Sequence, residues 1–199
     1  MKDIRKVRWE LAKKLKRGKP FIFKPTMRCN LNCPYCSVNK AHGRAPVFDE
    51  YGYNYWLSKI KYTDNVRQVT ISGGEPGLYK GLSDLVNELV DDKYIVLIFT
   101  NLTKIDEFLK IKKTWRVIFL ASYHPVFALD KYLENYSFLF SRFYITAREV
   151  LKKGHESERR LDFSKIKYEY EFQDDEYVEI YAPDGRLFYS CHELDQAGR

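Results

Sequence analysis

Strand-length apolar runs alternate with helix-spaced stretches along most of this chain, and that alternation restricts the fold more than any other feature. The runs are Phe21–Thr26, Arg67–Ser72, Tyr94–Thr100, Val117–Ser122 and Phe143–Thr146. Between them, helices are expected over Asp49–Lys61, with Asp49 as N-cap and Trp56, Leu57 and Ile60 on the apolar face, over Leu82–Val90, over Ile105–Ile111 and over Leu129–Phe140. Tyr94–Thr100 is apolar without alternation, as in a strand covered on both faces. A strand and helix repeating every ~20–30 residues predicts βαβ units and a parallel sheet, an α/β fold. Right-handed crossovers bring all the strand C-terminal ends to one rim, where ligands of such sheets bind. The segments at those ends are a cysteine-rich loop after Thr26, a Gly-Gly-Glu turn after Ser72, Asn101, Ser122 and Thr146.

The pattern changes after residue 150. Residues 152–165 are charged and read as a connection. Lys167–Phe172 and Tyr177–Ala182 alternate like strands. Pro183-Asp184-Gly185 is a turn signal, so 177–190 is expected to be a hairpin. Either 166–172 or 177–182 could supply a sixth strand. The organisation expected is one compact unit: a basic helix in 1–19, the α/β body in 20–172, and a hairpin and tail in 173–199.

The chain has 199 residues and a net charge of +7. Residues 1–20 hold nine Lys or Arg against two acidic residues, so the excess lies at this end. Ile4, Val7, Leu11 and Leu15 give residues 3–17 an apolar stripe among the bases. Such a helix either packs on the body with a solvated basic face or contacts nucleic acid. No apolar stretch reaches membrane-spanning length and the first residues lack a signal-peptide core, so the expectation is a cytoplasmic protein with no membrane partner.

Three of the four cysteines fall within eight residues, Cys29-Asn-Leu-Asn-Cys33-Pro-Tyr-Cys36. Thiolates hold iron–sulfur clusters, and three on one loop would leave one iron of a [4Fe–4S] cluster open to a small molecule. A zinc site is the bland alternative, but it wants four ligands, and the remaining cysteine, Cys191, is distant. Ser72-Gly73-Gly74-Glu75-Pro76 ends the second run. Its glycines permit close backbone approach, and its carboxylate can accept from an ammonium group.

Taken together, the C-x3-C-x2-C loop and the Gly-Gly-Glu-Pro turn resemble those of the radical S-adenosylmethionine (SAM) enzymes over about residues 20–148. The resemblance implies a partial (βα)5–6 TIM-like barrel. It implies a [4Fe–4S] cluster on Cys29, Cys33 and Cys36, with Tyr35 beside the adenine of SAM. Ser72, Gly73, Gly74, Glu75 and Pro76 would bind the methionine amino group. Many family members end the third strand in Thr-Asn-Gly; here it reads Thr100-Asn101-Leu102, keeping the Asn and losing the Gly. Asn101 would face cofactor or substrate. Ser122 would contact the SAM ribose or carboxylate, and Arg148 could pair with that carboxylate. His124, beside the rim, is a tentative proton-transfer group because an unperturbed imidazole titrates near neutrality. Ala182–Cys191 is similar to the hairpin that opens an auxiliary-cluster extension, but Cys191 and His192 cannot complete a four-cysteine set, and Cys191 is read as an inert buried thiol.

The implied reaction is reductive cleavage of SAM to a 5′-deoxyadenosyl radical that abstracts hydrogen from a nucleobase, nucleotide or peptide, fed by an electron donor such as flavodoxin or ferredoxin. The chain's size is also similar to that of glycyl-radical activating enzymes and of 7-carboxy-7-deazaguanine synthase-like members. The alternative of another class is a non-catalytic iron–sulfur or zinc module that acts by binding a partner.

Overall fold

A computed structural model describes residues 19–33, 36, 51–152, 169–173 and 177–181. The expected N-terminal helix over 3–17, Tyr35, the connection over 152–165 beyond its first residue, Cys191 and His192 lie outside these residues.

Five strands form a parallel sheet in sequence order: β1 (Lys19–Thr26), β2 (Val66–Gly73), β3 (Ile95–Thr100), β4 (Val117–Tyr123) and β5 (Tyr144–Lys152). Among the described residues, four helices lie between them: α1 (Tyr53–Lys61) before β2, α2 (Leu82–Asp91) before β3, the one-turn α3 (Asp106–Leu109) before β4, and α4 (Leu129–Phe140) before β5. Among the described residues the sheet does not close. It continues from β5 into an antiparallel pair, β7 (Tyr177–Tyr181) and then β6 (Glu169–Gln173). This is the expected α/β architecture, an open parallel sheet of the partial-barrel type.

Two expectations change. Gly52, in extended backbone, stands at the N-cap of α1, so the helix begins after Asp49. The first turn it was given, including Asp49 itself, falls outside the described residues or ahead of the cap. The hairpin expected over 177–190 has its second half outside the described residues. Within them, 177–181 turns back on 169–173 instead. The strand added beside β5 is β7, one of the two segments open as a sixth strand, and it runs antiparallel to β5.

Alternation along the strands sorts side chains to two faces. Val69, Ile71, Val96, Ile98, Val117, Phe119, Ala121, Ile145 and Ala147 pack against the helices in the larger core. Ile95, Leu97, Phe99, Ile118 and Leu120 form a second cluster on the opposite, inner face, with Tyr144 against it. Every residue of β3 and β4 is buried, which accounts for apolar runs that give way to polar side chains only near their ends, at Thr100 and Ser122. On the inner face the strands turn polar toward their C-terminal ends, at Ser72, Ser122 and Arg148.

Candidate cofactor site at the strand rim

The turn after β2 is built against the backbone that leads to the cysteines. Gly74 N–H donates to the Thr26 carbonyl at 3.0 Å, and Glu75 N–H to the Arg28 carbonyl at 2.8 Å. A Cβ on Gly74 would stand 2.1 Å from the Arg28 oxygen, and one on Gly73, whose φ is +119°, 2.4 Å from the Thr26 oxygen. The two glycines thus let one chain lie directly on the other, one residue before Cys29. The Arg28 guanidinium adds a bond from Nη2 to the Leu78 carbonyl at 3.1 Å.

Glu75 is fully buried. Its Oε1 accepts from Gly77 N–H at 3.0 Å and from Thr100 Oγ1 at 2.7 Å; its Oε2 accepts from Asn101 N–H at 2.7 Å. Burial pushes its pKa up to about 7, with the three donors opposing that rise. The carboxylate that sequence analysis sets against an ammonium group already accepts, through both oxygens, from the protein. It ties the β2 turn to the end of β3.

Cys29 is exposed, Cys36 half-buried and Cys33 buried, and all three are free thiols. Cys36 N–H donates to the Cys33 carbonyl at 3.2 Å, closing a turn between them. Cys29 Sγ accepts from Leu31 N–H at 3.5 Å and from Asn101 Nδ2 at 3.6 Å. Although the residue is exposed, partial loss of water around its sulfur raises the Cys29 thiol above its ordinary value; the Leu31 N–H opposes this, and the charges of Glu75 and Cys36 add to the rise. Among the described residues no three His, Cys, Asp or Glu side chains gather about one metal-ion position. A four-iron cluster takes each thiolate on a separate iron, so three free thiols on one short loop fit it by donor type and by chain position.

Ser122 and Arg148 are register partners on β4 and β5, and Arg148 Nε donates to Ser122 Oγ. Both are buried, and the guanidinium lies 5.3 Å from the Phe99 ring centroid. The structure therefore joins these two predicted residues in one unit. Loss of water around His124, with the Arg148 charge second, lowers its pKa to about 3. The imidazole is neutral near pH 7, which removes the near-neutral titration on which its proton-transfer assignment rested. Cys29, Glu75 and Asn101 stand together at the β1–β3 rim; Ser122, His124 and Arg148 form a second group at β4–β5.

Several residues at the site escaped the sequence reading. Thr100 Oγ1 donates to Glu75 and accepts from Leu102 N–H at 2.9 Å. Leu102 has φ +58° and no exposed surface, and its carbonyl accepts from Asn135 Nδ2 of α4 at 2.6 Å. Leucine thus occupies the left-handed backbone position that glycine takes easily. Thr103 N–H donates to Asn101 Oδ1 at 2.9 Å, and Thr103 Oγ1 lies 2.7 Å from Asn30 Oδ1 in the cysteine loop. The available signal was Asn135 itself, an amide among Tyr132, Tyr136 and Leu139 on the buried stripe of α4.

The family profile of the radical SAM superfamily matches residues 23–173. The chain belongs to the radical SAM superfamily. Enzymes of this superfamily use a [4Fe–4S] cluster and SAM, and this chain is one of them. It is 30% identical over 160 residues to the 7-carboxy-7-deazaguanine synthase of Clostridium acetobutylicum, covering 76% of this chain and 71% of that one. Aquifex aeolicus has a protein of the same name that is 29% identical over 159 residues, covering 75% and 68%. A probable GTP 3′,8-cyclase of Methanococcus maripaludis is 37% identical over 71 residues, covering 34% of this chain and 23% of the cyclase. Among solved structures, Streptococcus suis SuiB bound to its precursor peptide SuiA superposes with a TM-score of 0.56 at 19% identity, over 72% of this radical SAM chain and 36% of SuiB. That likeness is one of fold. The described helices include none long and apolar enough to cross a membrane.

Proposed function

We propose that this radical SAM enzyme holds its cluster on Cys29, Cys33 and Cys36 and abstracts hydrogen from a small molecule with a guanine-like ring. The observation that carries the site assignment is the direct seating of the Gly73–Glu75 turn on the backbone before Cys29. It puts the backbone of that turn beside the cysteine loop, where the amino end of SAM would lie if SAM takes the iron without a cysteine. When bound, the cluster and SAM supply a 5′-deoxyadenosyl radical for hydrogen abstraction.

The chain's own residues position and shield. Glu75 fixes the turn to β3 from within. Ser122 and Arg148 offer one buried cationic group on the inner face for the SAM carboxylate. Phe99, Leu97, Leu120 and Ile118 line that face with apolar surface and exclude water. Neutral His124 carries one ring N–H and one acceptor nitrogen, so it can donate and accept a hydrogen bond but is not an imidazolium acid at neutral pH. The substrate class is supported by the names of the relatives, a deazaguanine synthase and a GTP cyclase, which share a guanine-type ring system.

The test is anaerobic cluster reconstitution followed by incubation with SAM and dithionite, with 5′-deoxyadenosine measured by mass spectrometry. GTP and guanine-ring compounds are compared with adenine and pyrimidine nucleotides and with peptides, each deuterated. We expect deuterium in 5′-deoxyadenosine from the guanine set and no product from Cys33→Ala. Product from Cys33→Ala at the normal rate refutes the cluster assignment, and transfer from peptides alone refutes the substrate class.

A further inference from the structure

A buried side-chain amide at the end of β3 meets the sulfur of Cys29, and its orientation is dictated by its other bonds. Asn101 is almost fully buried, and its backbone N–H is held by Glu75 Oε2 at 2.7 Å. Its Oδ1 accepts from Thr103 N–H at 2.9 Å. Flipping the amide would set two sets of N–H donors against each other, so Oδ1 stays on Thr103 and Nδ2 is the end presented to Cys29 Sγ, 3.6 Å away. The chain then passes through Leu102 at φ +58°, held by the Thr100 hydroxyl on its N–H and by the Asn135 amide on its carbonyl. A non-glycine residue persists in that conformation only where its surroundings determine it, and such positions concentrate at functional sites.

We propose that Asn101 is a positioning residue for the cluster, donating an N–H···S hydrogen bond to the Cys29 thiolate and thereby raising the cluster's reduction potential. This rests on the reading that Cys29 is a cluster ligand. Reduction adds one electron, part of whose charge falls on the thiolate sulfurs, and an N–H aimed at one of them stabilises the reduced form more than the oxidised one. Glu75 and Asn135 bond to the chain around Asn101, at its own N–H and at the Leu102 carbonyl. Their part is to hold the backbone on either side of Asn101 so that the amide has one direction.

The test is an anaerobic redox titration followed by EPR, on protein carrying four irons and four sulfides per chain. Asn101→Ser keeps an oxygen that can accept from Thr103 N–H but has no group long enough to reach Cys29. Asn101→Asp keeps the same acceptor and replaces the donor with a negative oxygen. The expected order of potentials is wild type, then Ser, then Asp. The Ser variant should shift the reduction equilibrium about tenfold, which is about 59 mV for a one-electron couple. A residue that only caps the turn would give equal potentials for wild type and Ser, since both side chains can cap it, while the charge of Asp lowers the potential in either case. Equal potentials for wild type and Ser therefore overturn the proposal while leaving the cluster assignment intact. If the Asp variant fails to fold, the Ser variant decides alone. A wild-type chain that takes up no four-iron cluster overturns both this proposal and the reading beneath it.

Discussion

Replacing Gly74 by Ala should loosen the cysteine loop and lower stability by an amount the structure allows to be worked out. The new Cβ would lie 2.1 Å from the Arg28 oxygen and 2.5 Å from its carbonyl carbon, both backbone atoms that cannot swing away. Ordinary carbon contacts begin near ~3.5 Å, so the turn and the loop must part by about an ångström or more. The two bonds between them, at 3.0 and 2.8 Å, would then stretch out of range. Each intramolecular hydrogen bond contributes about 0.5–1.5 kcal/mol net, so losing both costs about 1–3 kcal/mol. With a urea slope of about 2 kcal/mol per molar, the midpoint should fall by about 0.5–1.5 M. The assay is urea denaturation of the metal-free protein, with Gly52→Ala as control. A Cβ at Gly52 meets nothing within 4 Å, so that change should cost less than about 1 kcal/mol even though alanine is a poorer N-cap. A Gly74→Ala midpoint equal to wild type would refute the claim that these glycines exist to admit the loop backbone.

Glu75 titrates about 7 when folded against a reference of 4.5, so between those values the folded state binds more protons than the unfolded one. Its contribution to stability is fully present below about pH 4.5 and is lost as pH rises through about 7. Urea midpoints from pH 4.5 to 8 should show that decline, and Glu75→Gln, which cannot titrate, should remove it. Asn135→Leu leaves the buried Leu102 carbonyl without its amide donor and should cost about 1–3 kcal/mol in the same denaturation assay; an unchanged midpoint would mean the bond contributes nothing. Ser122→Ala deprives the buried Arg148 Nε–H of its hydroxyl acceptor and should destabilise by about 1.5–3 kcal/mol by thermal melting, the range for a bond to a charged group.

The strands and most helices were legible because their apolar spacing is local: β3 and β4 are apolar runs that turn polar only near their ends, and α4 has the bounds that its periodicity gave. The cysteine loop and the Gly-Gly-Glu-Pro turn were legible as motifs. Their contact was less so. That Gly74 clears the Arg28 carbonyl depends on the parallel pairing of β1 and β2, which brings together residues 46 positions apart. The Glu75 carboxylate could not be aimed from sequence, because its partners, Thr100 and Asn101, arrive on another strand. His124 looked like a near-neutral titrating group until the loss of water around it, and then the Arg148 charge, were known. Leu102 looked like a departure from a glycine position, yet its backbone keeps the conformation a glycine would have taken. The sixth strand stayed open between two segments because short alternating stretches such as 169–173 and 177–181 carry no signal for which neighbour they pair with; 177–181 takes the place beside β5.

The cysteine loop hangs from β1, and among the described residues β1 is bonded to the sheet along one side, by β2, with a shift in register just before Thr26. β3 and β4 are paired on both sides. Local opening is cheapest where a segment has the fewest such ties. Amide protons from Phe23 through the loop should therefore exchange with solvent well ahead of those in β3 and β4. A chain with this uneven protection can admit iron and sulfide by loosening one border while its centre stays folded, so maturation of the enzyme need not be coupled to its synthesis.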